Sequence, residues 1–131
     1  MSAAASRNLI EAYYAAFNRG DSDGMLDLLA EGVAHDVNQG PRRTGKDRFK
    51  AFNARMAHCY QERLDGIVVM VSDDGSRASA EFNVHGVYKN TDDGLPPATG
   101  QTYLLPGGTF FEIKNGKIAR VTTYYNLTEW L

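Results

Sequence analysis

The spacing of apolar residues changes near Asp65 from a helical period to a period of two, and this change constrains the fold most. Before it, Leu9, Tyr13 and Phe17 recur every four residues. That spacing predicts an amphipathic helix from about Ser6 to Asn18. After it, short runs rich in β-branched and aromatic residues alternate with turn residues, which predicts strands. Helices followed by strands indicate an α+β domain.

Two further helices are expected before the change of period. Gly20 ends the first helix, and Asp21 supplies an N-cap for a short second helix that continues to Leu29. A third helix opens at Gly45 and is predicted to extend to about Arg63. Its inner face carries an apolar stripe of Phe49, Phe52, Met56 and Cys59.

The strands are predicted to form one curved, mostly antiparallel sheet that the three helices cover on one face. The result is a cone with an open mouth that suits a small molecule. Gly107 and Gly108 are expected to form a bulge or sharp bend that lets the sheet curl. The predicted strands are a short one around Asp36, then Ile67–Val71, Ala78–Lys89, Gln101–Leu105, Phe110–Ile113 and Ile118–Tyr125.

Composition narrows the class of protein. The 131 residues predict a single domain over 1–131, and the net charge of −2 gives no electrostatic case for binding nucleic acid or an anionic membrane. No apolar run approaches the roughly 20 residues of a membrane-spanning helix, and the first residues do not resemble a signal peptide. Cys59 is the single cysteine, which favours a cytoplasmic location, and it shows no metal-ligand spacing with the histidines. We therefore expect no metal and no other cofactor.

The strand around Asp36 carries the first candidate site. Alternation sends His35 to one face and Asp36 with Asn38 to the other, just before the turn at Gly40. If that second face lines the pocket, Asp36 can move a proton, burial raises its pKa above the usual value of about 3.9, and His35 lies on the opposite side. The alternative is that Asp36 and Asn38 face water or cap the next turn.

A second polar face lies on the strand from Ala78 to Lys89. Glu81, Asn83 and His85 alternate onto one side of it. If that side faces into the cone, His85 is a candidate proton shuttle. Otherwise the face is solvated or lies in a dimer interface.

Several segments resemble known families. Leu9 to Asp21 resembles the opening helix of the nuclear transport factor 2-like superfamily, and Asp36, nine residues before Gly45, resembles delta-5-3-ketosteroid isomerase. The segments Leu95 to Gly100, Asn115 to Ile118 and Thr123 to Tyr125 are closer to the SnoaL-like polyketide cyclases. The resemblance implies a cone-shaped α+β barrel of the cystatin-like kind and a homodimer that pairs through the outer face of the sheet. It implies no single activity, since the fold carries isomerases, cyclases, dehydratases, hydrolases and non-catalytic binders.

The resemblance also suggests roles for individual residues. By likeness to the isomerases, Asp36 is the general base and Tyr13 a hydrogen-bond donor to the oxyanion, while Thr109 stands where those enzymes have a protonated aspartic acid. By likeness to the cyclases, Asn126 stands where a catalytic aspartate is expected. An amide cannot exchange a proton at neutral pH, so Asn126 is left to orient a carbonyl or a water.

These observations predict a small acid–base enzyme that enolises an apolar carbonyl compound, leading to isomerisation or cyclisation. Asp36 would take the proton, and Tyr13 with Thr109 or Asn126 would hold the enolate oxygen. Asn38 and His85 complete the predicted substrate-binding set. One alternative is a non-catalytic binding or dimerisation module of the same fold; another is hydrolysis by a water anchored on Asn38.

Overall fold

The computed structural model describes residues 2–126, which form three helices and one six-stranded sheet. This is the α+β architecture predicted from the change of period. The helices are α1 (Ala3–Asn18), α2 (Ser22–Leu26) and α3 (Lys46–Cys59). The strands are β1 (Leu29–Val37), β2 (Arg43–Thr44), β3 (Tyr60–Val71), β4 (Arg77–Tyr88), β5 (Gln101–Lys114) and β6 (Lys117–Tyr125).

Local signals at its two ends define α1. The Ser2 hydroxyl accepts a hydrogen bond from the Ala5 N–H at 3.0 Å, so the helix begins at Ala3, slightly earlier than the apolar stripe predicts. Gly20 adopts a φ of +72°, a left-handed conformation that glycine reaches without strain, and the helix ends two residues before it. Between these ends, Ile10 and Tyr13 are buried against the sheet.

The strand order is β2-β1-β6-β5-β4-β3, and one pairing departs from the antiparallel pattern. The first long strand, β1, pairs in parallel with β6, the last described strand. The remaining neighbours are antiparallel. β2 and β3 therefore lie at opposite edges of an open sheet.

Two helices are shorter than predicted because the last residues predicted for each of them belong to the strand that follows. α2 ends at Leu26, and Leu29 already belongs to β1. α3 ends at Cys59 rather than near Arg63, because the segment from Tyr60 onward pairs with β4. Tyr60 and Leu64 are buried on the inner face, while Gln61 and Arg63 between them are exposed. This alternation is the period of two expected of a strand.

The predicted bulge at Gly107 and Gly108 is wrong. β5 is one strand that pairs with β4 in unbroken register from Gln101 to Glu112. A Cβ atom at position 107 would lie 2.9 Å from the Phe82 ring, so glycine here allows an aromatic side chain to pack closely across the strand.

α1 and α3 contact the sheet, α2 packs against both of these helices, and the main hydrophobic core lies between α1 and the inner sheet face. Among residues 2–126, no helix is long and apolar enough to cross a membrane.

Candidate active site

A cavity of about 700 Å³ lies between the helices and the inner face of the sheet. Aromatic and aliphatic residues are the majority of its lining, and polar and charged side chains make up most of the rest. A concave site of this mixed kind suits a small molecule with both apolar and polar parts. Its apolar wall includes Tyr13, Tyr14, Phe17, Met25, Phe49, Phe52, Leu64, Phe82, Val84 and Leu105.

Glu62 places a carboxyl group in this apolar wall. The Tyr103 hydroxyl donates a hydrogen bond to Glu62 Oε2 at 2.5 Å. Burial raises the pKa of Glu62 above its ordinary value, and the hydrogen bond from Tyr103 opposes that rise in pKa. A carboxyl group with a raised pKa inside a cavity is a candidate for general acid–base catalysis.

Gly86 makes the contact between Glu62 and Tyr103 possible. Glu62 pairs with Gly86 across β3 and β4, and Gly86 pairs with Tyr103 across β4 and β5, so the three residues form one row across the sheet. A Cβ atom at position 86 would lie 2.0 Å from Tyr103 Cζ. The Tyr103 ring therefore crosses over β4 at Gly86, which has no side chain, and its hydroxyl reaches Glu62 on β3.

His35 lines another part of the same cavity. Its ring lies 4.4 Å from the Phe49 ring and 4.7 Å from the Phe52 ring, centroid to centroid. Burial, with a further effect from the Arg43 guanidinium, lowers the pKa of His35 to about 4. The imidazole is therefore neutral at pH 7. Its Nδ1 atom is buried without a hydrogen-bond partner among the described residues.

Tyr13 and Thr109 line the cavity, as their predicted roles require. Tyr13 is 5% exposed and makes edge-to-face contacts with Tyr14 and Phe111. Thr109 Oγ1 lies 3.2 Å from Thr123 Oγ1, on the strand paired with it. Burial raises the pKa of both Tyr13 and Tyr14, so both are neutral hydroxyl groups at neutral pH. The predicted contacts of Tyr13 and Thr109 with a substrate oxygen stay predictions.

An ion pair at the end of α3 forms another part of the wall. Arg55 on α3 pairs with Asp92, which lies in the loop between β4 and β5. Asp92 also accepts a hydrogen bond from the Tyr60 hydroxyl at 2.9 Å. Burial would raise the pKa of Asp92, but the hydrogen bonds from Arg55 and Tyr60 outweigh it and hold the pKa below its usual value. Asp92 is thus a charged group fixed in place, which favours a structural role for it.

The expectation that Asp36 faces the cavity is wrong. His35 and Val37 line the cavity, and Asp36, which alternates with them along β1, points to the outer face. There it accepts two hydrogen bonds from the Arg42 guanidinium, at 2.8 and 2.9 Å, and one from the Thr122 hydroxyl at 2.7 Å. Hydrogen bonding from Arg42, aided by Thr122, lowers the pKa of Asp36 to about 2, opposite in direction to the predicted rise.

Three other predicted contacts with substrate lack the geometry they need. Asn38 follows β1, where its Oδ1 accepts the Tyr125 N–H at 2.9 Å and its own N–H donates to the Thr123 carbonyl, so it joins β1 to β6. His85 lies on the outer face, with Nε2 2.8 Å from Asp65 Oδ2. Asn126 is exposed after β6 and is not among the cavity-lining residues.

Sequence reasoning missed Glu62, Tyr103 and Gly86 and placed His35 on the wrong side. Two signals were present. The alternation of Tyr60, Glu62 and Leu64 has the period of a strand, and a glycine inside a long strand often marks the close approach of another group.

The family profile of the SnoaL-like domain matches residues 10–121. The chain belongs to this family. It is 56% identical to a candidate polyketide cyclase from Xanthomonas campestris, with a TM-score of 0.96, and the match covers 99% of this chain and 96% of that one. A candidate polyketide cyclase from Pseudomonas putida is 59% identical, with a TM-score of 0.95 and the same coverage of both chains.

More distant structures share the fold alone. A phenazine biosynthesis-related protein from Pseudomonas aeruginosa is 21% identical with a TM-score of 0.81, and the match covers 97% of this chain and 82% of that one. No curated protein matches the sequence. Among residues 2–126, no cluster of three His, Cys, Asp or Glu side chains could hold a metal ion.

Proposed function

We propose that this protein is an acid–base enzyme of the polyketide-cyclase type that enolises an apolar carbonyl compound, with Glu62 as the group that moves the proton. The observation that carries the proposal is the hydrogen-bonded pair of Glu62 and Tyr103 within a largely apolar cavity. Membership of the SnoaL-like family and the high identity to two candidate cyclases support the same reaction class.

The reaction begins when the Glu62 carboxylate takes a proton from the carbon next to the substrate carbonyl. The electrons of the broken C–H bond form a carbon–carbon double bond, and the carbonyl π electrons move to oxygen, which gives an enolate. Tyr13 is the proposed hydrogen-bond donor to that oxygen, with Thr109 beside it in the wall. If the substrate has a C=C bond next to the carbon that loses the proton, Glu62 returns the proton to the far carbon of the conjugated enolate, which gives an isomer. If the substrate has a second carbonyl, the enolate carbon attacks it, the π electrons of that carbonyl move to its oxygen, and Glu62 returns the proton to this oxygen, which gives a ring.

The second candidate is a protein that binds an apolar metabolite without chemistry. It is favoured by the pairing of polar groups in the wall, since Arg55 is already paired with Asp92 and Tyr103 with Glu62. Such a protein would bind ligands equally well with or without a proton-accepting group at position 62.

Deuterium exchange separates the two candidates. In D₂O, 2-tetralone, a bicyclic ketone, should exchange its α-protons faster with the protein present, and NMR measures the rate. Glu62→Gln should reduce the catalysed rate by about 100-fold or more, because general-base catalysis contributes factors of this size. Asp36→Asn is the matched control and should keep the rate within about threefold, since Asp36 lies on the outer face.

The pH profile of the same exchange tests the role of Tyr103. The tyrosine hydrogen bond lowers the pKa of Glu62, so Tyr103→Phe should move the rise in rate to higher pH. Exchange that is unchanged by Glu62→Gln, or that is lost in Asp36→Asn, would contradict the proposal and leave the binding protein as the better account.

We also propose that the protein forms a homodimer through the outer face of the sheet and works in the cytoplasm. Phe110 and Tyr124 are 49% and 51% exposed there, with ring centroids 6.1 Å apart, and Leu104 is 60% exposed. Apolar side chains grouped on one sheet face favour association. The free thiol of Cys59 is consistent with a reducing compartment.

A further inference from the structure

Arg43 places a positive charge in the cavity wall at the edge strand β2. The side chain is half-buried, and its guanidinium carbon lies 5.1 Å from the centroid of the Phe52 ring. A cation over an aromatic face is attracted by the ring quadrupole, so the ring holds the guanidinium in place.

The other two arginines in the cavity wall have carboxylate partners. Arg19 pairs with Asp21 at 3.0 Å, and Arg55 pairs with Asp92. Among residues 2–126, Arg43 has no carboxylate within ion-pair distance. It is therefore a half-buried guanidinium that no acidic side chain of the described protein neutralises.

Its neighbour in sequence is used differently. Arg42 pairs with Asp36 on the outer face and is largely exposed. Two adjacent arginines on a short segment thus serve opposite faces of the sheet, the outer one paired and the inner one unpaired. Arg42 is a matched control for any variant of Arg43.

The surroundings of Arg43 favour an incoming anion. His35 shares the Phe52 ring with Arg43 and is neutral at pH 7, so it neither repels an anion nor supplies a counter-charge. Lys89 is the other cavity-lining cation without an acidic partner among residues 2–126, but its side chain is exposed to solvent. A half-buried planar guanidinium binds a carboxylate through two parallel hydrogen bonds and with one matching charge.

We propose that Arg43 binds a carboxylate of the substrate, so that the substrates are apolar carbonyl compounds that carry one negative charge. The inference rests on the proposed function, because it places the ligand in the same cavity. β2 and β3 lie at opposite edges of the sheet, and the cavity extends between them. A substrate with its carboxylate on Arg43 would extend towards Glu62 on β3, where the proton is removed.

Calorimetric titration with a matched pair of ligands tests this. The probes are 2-naphthoate and 2-naphthamide, which have the same bicyclic ring and differ chiefly in charge. The wild-type protein should bind 2-naphthoate at least about 10-fold more tightly than 2-naphthamide, as expected for a charge-assisted pair in a partly buried site. Arg43→Gln should abolish this preference and leave the affinity for 2-naphthamide within about twofold.

Three further variants make the result specific. Arg42→Gln should keep the full preference for 2-naphthoate, and Arg43→Lys should keep part of it, because the charge remains but the fork of donors is lost. The proposal is overturned if neither probe binds, if the two bind equally, if Arg42→Gln has the same effect as Arg43→Gln, or if only Lys89→Gln removes the preference.

The deuterium-exchange assay keeps this proposal distinct from the proposed function. Exchange of 2-tetralone without any preference for 2-naphthoate would overturn the role of Arg43 and leave Glu62 as the base. A preference that depends on Arg43 but no exchange with any variant would support the anion site and overturn the enolising activity.

Discussion

Asp36 and Glu62 carry the same functional group on opposite faces of one sheet, and their surroundings give them opposite properties. Asp36 on the outer face accepts three hydrogen bonds from Arg42 and Thr122, and its pKa falls to about 2. Glu62 on the inner face lies among apolar side chains with a single hydrogen bond from Tyr103, and its pKa rises.

The difference shows which carboxyl group can do acid–base work. A carboxylate that is fixed by a guanidinium stays charged at neutral pH, so it contributes to stability rather than to proton transfer. A carboxyl group held by one neutral donor in an apolar wall can change its protonation state during a reaction. The following predictions test this contrast, beginning with the largest expected effect.

Gly86→Ala should reduce the catalysed exchange of 2-tetralone by about 100-fold or more. The new methyl group would lie 2.0 Å from Tyr103 Cζ, so the ring must leave its place and Glu62 loses its hydrogen bond and its orientation. The rate of α-proton exchange, followed by NMR, measures the effect.

Gly108→Ala on the neighbouring strand β5 is the control for Gly86→Ala. A methyl group there would lie 3.5 Å from the Ala80 carbonyl oxygen, an ordinary contact distance. Exchange should therefore be near the wild-type rate. A Gly86→Ala variant that is folded and fully active would show that the contact between Tyr103 and Glu62 does not position the base.

The free energy of unfolding should decrease as the pH falls from about 6.5 to about 4, because of His35. The folded protein keeps this imidazole neutral down to a pKa of about 4, whereas the unfolded chain binds a proton near pH 6.5. The contribution amounts to about 3 kcal/mol across this range if no other group compensates. Urea unfolding at several pH values gives the free energy of unfolding as a function of pH. Its slope against pH should be smaller for His35→Gln than for the wild type.

His85→Gln is the comparison variant on the outer face. A pH dependence that is weakened in His35→Gln and not in His85→Gln would assign the effect to the buried ring. If the free energy of unfolding changes with pH equally in His35→Gln and the wild type, His35 is not held neutral by burial.

Asp36→Asn should have the smallest effect, a decrease of about 1 kcal/mol in the free energy of unfolding at pH 7. The variant loses a paired carboxylate, and solvent around the largely exposed Arg42 weakens that pairing. Since the folded pKa of Asp36 is about 2, its stabilisation is present above the unfolded value of about 3.8 and is lost as the pH falls towards 2. Thermal unfolding at pH 7 and pH 3 should therefore show a smaller difference from the wild type at pH 3.

Most of the fold could be predicted from the sequence because local signals determine it. The stripe of Leu9, Tyr13 and Phe17 is sufficient to place α1, and turn residues separate most of the strands. The parallel pairing of β1 with β6 could not be predicted, because residues such as Asp36 and Thr122 that meet there are 86 positions apart. No local pattern reports such a contact.

The site was harder to predict because it depends on which face of each strand points inward. Alternation correctly separated His35 and Val37 from Asp36 on β1, but it does not say which set faces the helices. Asp36 was chosen because it shares a polar face with Asn38 before a turn and because it resembles the general base of the isomerases. Packing of His35 against α3 puts the other face inward.

The parallel pairing of β1 with β6 has a consequence for how the chain reaches its native state. During synthesis β1 and β2 leave the ribosome early, yet they join the sheet only when β6 has been made. Until then the edge of β1 lacks its main partner, while β3, β4 and β5 can pair locally as hairpins. Late pairing between distant segments slows folding and exposes strand edges to other chains. The extent to which this protein needs chaperones should therefore depend on how long β1 stays unpaired, rather than on the length of β5.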